Sequence, residues 1–154
     1  MQAGTLSLRC ALGLGGIVRD KREGDHATPA GEFRLLSGFF RADRLPRPAA
    51  PFAMRRIGAR QGWCDDPAQA LYNRPVVLPC GFSHERFWRE DRLYDRLIVL
   101  DYNISPRRRN RGSAIFLHCC REGFQPTEGC IALDPADLRR LLPRLSRKTA
   151  IIVR

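Results

Sequence analysis

Ala114-Ile115-Phe116-Leu117-His118 ends an apolar run on a histidine, and Pro126-Thr127-Glu128-Gly129-Cys130-Ile131-Ala132-Leu133 returns the chain to a cysteine behind a glycine. Continuous apolar residues with a β-branched member make 114–117 a buried strand. Leu97-Ile98-Val99-Leu100 makes a second, joined to the first across an Arg-rich loop. Toward the N-terminus, Leu6, Leu8, Cys10 and Leu12 alternate with small or polar neighbours, the period-two pattern of a half-buried strand. Gly13, Gly15 and Gly16 break it, Ile17-Val18 resumes briefly, and Lys21-Arg22-Glu23-Gly24-Asp25 reads as an exposed turn. Thr28-Pro29-Ala30-Gly31 then turns the chain into a strand beginning Glu32-Phe33-Arg34-Leu35-Leu36.

The middle third is weakly patterned. Residues 41–51, rich in Pro and Arg, and 58–67, around Trp63 and Asp65-Asp66, read as loops. Ser83 is placed to cap a short helix through about Asp91, with Phe87 and Trp88 turned inward. Toward the C-terminus, Asp134 before Pro135 is a helix start: the carboxylate accepts orphan amide hydrogens and proline suits the first helical position. Leu138, Leu141 and Leu142 share one face of that helix, Pro143 stops it, and Thr149 to Val153 forms a closing strand. The sum is a mainly β chain, a sandwich or barrel-like domain with one or two short helices. Its 154 residues suit a single domain, 1–154.

The chemistry sits at His118 and Cys130. A thiol of ordinary pKa ~8.5 is only a few per cent thiolate at neutral pH, so a cysteine nucleophile needs a base or cation beside it. His118 is that base for Cys130. As a thiolate–imidazolium pair the two would attack a carbonyl carbon. Gly129 permits a backbone conformation that exposes the thiol, and the amides of Gly129 and Cys130 would hold the oxyanion. His26, in a polar turn, and His84, at a helix start, read as surface or capping residues. Cys119 and Cys120 read as small buried fillers, Cys10 as strand core, and Cys64 and Cys80 as loop residues without a role. No Cys-x-x-Cys occurs, and adjacent cysteines on a strand face opposite ways, so no metal site is expected.

Thr28-Pro29-Ala30-Gly31-Glu32-Phe33 upstream, with His118 and Thr127-Glu128-Gly129-Cys130-Ile131 downstream, resembles the L,D-transpeptidase catalytic domain of the YkuD type over nearly the whole chain. The resemblance implies a β-sandwich-like domain that acts on peptidoglycan stem peptides as donor and acceptor, without metal or cofactor. Cys130 matches the nucleophile, His118 the base and Gly129 the preceding glycine. Trp63, Tyr72, Asn73 and Asn103 lie in segments similar to a short single-domain bacterial subgroup and are expected to shape the cleft. Thr127, Glu128 and Ala132 stand where the family commonly has serine, histidine and arginine. Loss of that arginine leaves a substrate carboxylate to another, such as Arg121, or points to a different donor stem. With water in place of an amine, the same residues would make an L,D-carboxypeptidase. Without catalysis, the chain would be a wall- or polyanion-binding module.

Twenty-seven basic against sixteen acidic residues give a net charge of +11, which favours acidic partners. Only Lys21 and Lys148 are lysines, and neither a recognition motif nor interleaved aromatics accompany the arginines, so nucleic acid is not the expected partner. Arg107-Arg108-Arg109-Asn110-Arg111 reads as a solvated loop. No apolar run reaches the ~18 to 20 residues of a membrane span. The family resemblance implies the cell envelope or periplasm, whereas the start Met1-Gln2-Ala3-Gly4-Thr5 lacks a signal-peptide layout and points to the cytoplasm.

Overall fold

In the computed structural model, which describes residues 1–154, the two apolar runs become neighbouring antiparallel strands. A small hairpin of β1 (Gln2–Ala3) and β2 (Leu6–Ser7) opens the chain. It is followed by β3 (Cys10–Ala11), β4 (Ile17–Val18), β5 (Thr28–Pro29) and the long β6 (Gly31–Phe40). Next come β7 (Met54–Arg56), β8 (Gln61–Cys64), β9 (Arg74–Val77) and β10 (His84–Arg86). Then follow β11 (Arg96–Leu100), β12 (Phe116–Cys119), β13 (Ile131–Leu133), the helix α1 (Pro135–Leu141) and β14 (Ala150–Val153). The fold is mainly β with one short α-helix, as the sequence pattern implies.

The central sheet runs β14-β6-β11-β12-β13-β3, with β7 also on β6. The long β6 is shared end to end: residues 31–34 pair with β14 and 35–40 with β11. β12 and β13 run parallel, in the register Leu117 to Ile131 and His118 to Ala132. A parallel pair cannot be closed by a tight hairpin, so residues 120–130 must travel back over the sheet end before β13 begins.

Strand alternation sends side chains to two different cores. On one face Ile98, Leu117, Ile131 and Leu133 pack with Leu138, Leu141 and Leu142. A seven-residue helix is not stable alone, and burial of these leucines, ~1.5–3 kcal/mol each, holds it in place. Asp134 caps it by accepting the Ala136 amide at 2.8 Å. On the other face Phe39, Leu97, Val99 and Phe116 meet Trp63 and Phe87 from the second sheet, β10-β8-β9.

Three local expectations are corrected. Ser83–Asp91 is not a helix: β10 pairs antiparallel with β8, and Phe87 is buried beyond its end, so sheet pairing overrides the capping signal. The loop expected at 58–67 contains β8, because Trp63 and Cys64 are buried between β9 and β10. Lys21, expected in an exposed turn, is buried, with its ammonium on the Asp25 carboxylate. The Arg-rich run is largely exposed, yet it is fastened: Arg107 donates to Tyr72 O at 2.7 Å and Arg109 to Pro67 O and Ala68 O at 3.0 Å. No helix is long and apolar enough to cross a membrane.

Candidate active site

Phe116 and His118 alternate onto the aromatic face of β12, away from Leu117 and Cys119. Cys130, the residue before β13, joins that face, and its Sγ accepts the Phe116 amide at 3.4 Å. Both Cys130 and His118 line one cavity of about 160 Å³, together with Thr127, Glu128, Arg121 and Ala132.

The loop that delivers Cys130 is built from inside and outside. Inside it, Thr127 Oγ1 donates to Cys130 O at 2.6 Å and accepts the Gly129 amide at 3.2 Å. Outside it, the Thr127 amide donates to Leu12 O at 2.9 Å and Thr127 O accepts the Leu14 amide at 3.0 Å. Gly129 has φ +130°, and a Cβ there would stand 2.7 Å from Ala27 O, so only glycine fits. The loop thus folds inward beneath the turn at 25–28. Cys130 is consequently 9% exposed, not the exposed thiol expected from a glycine turn, and of the two expected oxyanion donors the Gly129 amide is already engaged.

Burial also sets the charges. The Cys130 thiol donates to Ala114 O at 3.1 Å, and desolvation pushes it up to about 12, against the opposing pull of the Phe116 amide. Desolvation pulls His118 down to about 4, although its contact with Cys119 O at 2.8 Å opposes this. The resting site is therefore a neutral thiol and a neutral imidazole, not the ion pair expected from the sequence. No hydrogen bond joins the two. Since a carbonyl only accepts, His118 Nδ1 carries the hydrogen and Nε2 is the basic end.

Glu85, Arg89 and Tyr94 complete the walls, and none was singled out by the sequence. Arg89 pairs with Glu85 at 2.8 Å and with Asp91 at 2.8 Å, and its guanidinium lies 5.3 Å from the Tyr94 ring centroid. The Tyr94 ring meets His118 edge to face at 5.3 Å. Burial raises the Glu85 carboxyl above the usual carboxylate range, with Arg89 opposing. Glu85 was hidden by the helical reading of its segment; as a β10 residue opposite Trp63 it lines the cavity.

Trp63, Tyr72 and Asn73 are buried and, like Asn103, do not line this cavity; they hold its wall. Asn73 Oδ1 accepts Trp63 Nε1 at 2.8 Å and the Ala114 amide at 3.1 Å, while its Nδ2 donates to Asn103 O at 2.8 Å. This network secures Ala114 at φ +52°, a conformation strained for alanine, and so aims at Cys130 the carbonyl that receives its thiol. Asn103 braces the Arg-rich loop through Arg108 O and Gly112 O, each at 2.8 Å. The Tyr72 hydroxyl donates to the carboxylate of Glu23, which also receives Ser113 Oγ at 2.8 Å.

Compared with known proteins, the chain matches the family model described as the L,D-transpeptidase catalytic domain, YkuD, over residues 2–153. No curated protein and no solved structure matches it.

Proposed function

The chain belongs to the YkuD family of L,D-transpeptidase catalytic domains, and from that premise we propose that it transfers acyl groups between peptidoglycan stem peptides through a thioester on Cys130. The observation that carries this reading is the convergence of Cys130 and His118, from the crossover and from β12, on one face and in one cavity.

With both groups neutral at rest, activation occurs as the substrate arrives. The thiol leaves Ala114 O, His118 Nε2 takes its proton, and Sγ attacks the donor carbonyl in the same motion. A base pulled down to about 4 by burial is weak in the empty site, so developing negative charge on the substrate must raise it. With the Gly129 amide engaged, the Cys130 amide is left to receive the forming oxyanion, a contribution often worth ~3 kcal/mol. His118 then returns its proton to the leaving amine, and an acceptor amine resolves the thioester. Arg121 at the cavity wall is the guanidinium for a donor carboxylate, because the donors of Arg89 already serve Glu85 and Asp91. The substrate class supports a site of action in the cell envelope or periplasm, with the cytoplasm as the alternative.

The test is incubation with defined tri- and tetrapeptide muropeptides, with and without an amine-bearing acceptor, followed by mass spectrometry. Cross-linked dimers with release of the terminal D-amino acid are expected. Trimmed monomers alone would make the chain a carboxypeptidase, and unchanged muropeptides would overturn acyl transfer.

A further inference from the structure

Glu128 lies in the nucleophile loop, two residues before Cys130, and lines the cavity. From the opposite side its Oε2 meets Nδ1 of His26, a residue 102 positions away in sequence. That meeting is built into the backbone. His26 sits at φ +54°, its carbonyl accepts the Gly15 amide at 3.0 Å, and Asp25 Oδ1 accepts the Ala27 amide at 2.9 Å. Gly13 and Gly129 make room for the turn: a Cβ on Gly13 would stand 2.3 Å from His26 O, and one on Gly129 would stand 2.7 Å from Ala27 O. The turn at 25–28 is therefore seated against the nucleophile loop at Gly129 and the His26–Glu128 pair, and against the N-terminal segment at Gly13.

The cavity's charge runs against that of the chain. Although the protein carries +11, Glu23, Asp65, Glu85 and Glu128 line the cavity against only Arg89 and Arg121, and Arg89 is committed to Glu85 and Asp91. Asp65 Oδ1 is buried there without a hydrogen-bond partner. Glu128 is largely exposed at the mouth of the cavity, and its Oε1 has no protein donor. Such a lining draws in a cation.

We propose that Glu128, positioned by His26, is the acceptor-side specificity residue: it receives the ammonium group of an alkylamine acceptor and so favours aminolysis of the thioester over hydrolysis. The proposal rests on Cys130 being the acylated nucleophile. In the transfer step the ammonium, held by the Glu128 carboxylate, loses one proton to solvent at the exposed mouth of the cavity. The freed nitrogen lone pair bonds to the thioester carbon, and the carbon–sulfur bond breaks with its electron pair moving to Sγ. The nitrogen's second proton passes through His118 to Sγ, restoring the thiol, and the third stays on the new amide.

Three measurements separate this role from simple bracing of the loop: acyl-adduct formation on Cys130, transfer to a stem tripeptide with a free side-chain amine, and transfer to hydroxylamine, which is uncharged at neutral pH. In Glu128→Gln the KM for the tripeptide amine should rise ~10-fold or more, the scale of one charge-assisted hydrogen bond. Adduct formation and hydroxylamine transfer should stay within about threefold of the parent, the resolution expected of such a comparison. His26→Asn tolerates the left-handed backbone and should show a smaller rise in the same KM. Glu128→Asp should recover part of the loss. Equal losses with both acceptors, or none, would overturn the role while leaving Cys130 as nucleophile. Absence of any adduct on the parent chain would overturn the acyl-transfer reading and this role together.

Discussion

Cys119 on β12 and Cys130 just before β13 are both buried, and burial pushes both thiols up, to about 11 and about 12. Depth and thiol acidity therefore do not distinguish them. The face of the sheet does. Cys119 points with Leu117, Ile131 and Leu133 into the aliphatic core under α1, whereas Cys130 faces the aromatic side, where it shares a cavity with His118. On the proposed reading, one period-two alternation sorts filler from reactive group. That reading puts stability on one side of these strands and chemistry on the other.

The strongest way to break that division is Cys130→Ala. Turnover should fall by at least ~10³-fold, as for loss of a covalent nucleophile, while stability falls by only about 1 kcal/mol, as for loss of a small buried side chain. Activity above a tenth of the parent would erase the contrast between the two cysteines.

His118→Gln should lower turnover by roughly 10²-fold or more, the usual contribution of a positioned general base. It also carries a stability signature. Folded His118 binds a proton only near pH 4, but the unfolded chain binds one near 6.5. The parent's stability should therefore be full above pH 6.5 and fall on acidification toward pH 4, by about 3 kcal/mol from this group. Denaturant melts across that window should show a shallower loss in His118→Gln; identical profiles would mean that the imidazole is not held neutral by burial.

On the opposite face the order of effects reverses. Leu117→Ala should cost ~2–5 kcal/mol of stability, as a buried leucine truncated in a close-packed core, with kcat retained well below the melting range. Cys119→Ala should cost about 1 kcal/mol and leave kcat unchanged. A collapse of kcat in either variant at full occupancy of the folded state would show that the two faces are not separable.

Much of this division was legible in the chain because its signals are local. β11 announces itself as an apolar β-branched run, the run at 114–117 announces β12 although the strand begins only at Phe116, Asp134-Pro135 announces α1, and the histidine and cysteine flank a single crossover. What stayed hidden depends on distant partners. β8 and β10 are strands because they pair with each other, and Ser83's capping chemistry is silent once β10 is in the sheet. Glu85 lines the cavity only by virtue of that pairing. His26 reads as a surface turn residue until the fold carries it to Glu128. The neutral state of the Cys130–His118 pair is likewise a product of burial, which residue types alone do not reveal.

The most direct measurement is the intact and peptide-mapped mass of the chain after brief exposure to a tetrapeptide stem, beside Cys130→Ala and Cys119→Ala. The expected result is a stem-acyl adduct confined to the peptide carrying Cys130, present in Cys119→Ala and absent in Cys130→Ala. An adduct on any other residue, or stem turnover that proceeds in Cys130→Ala, would contradict the assignment of chemistry to the cavity face.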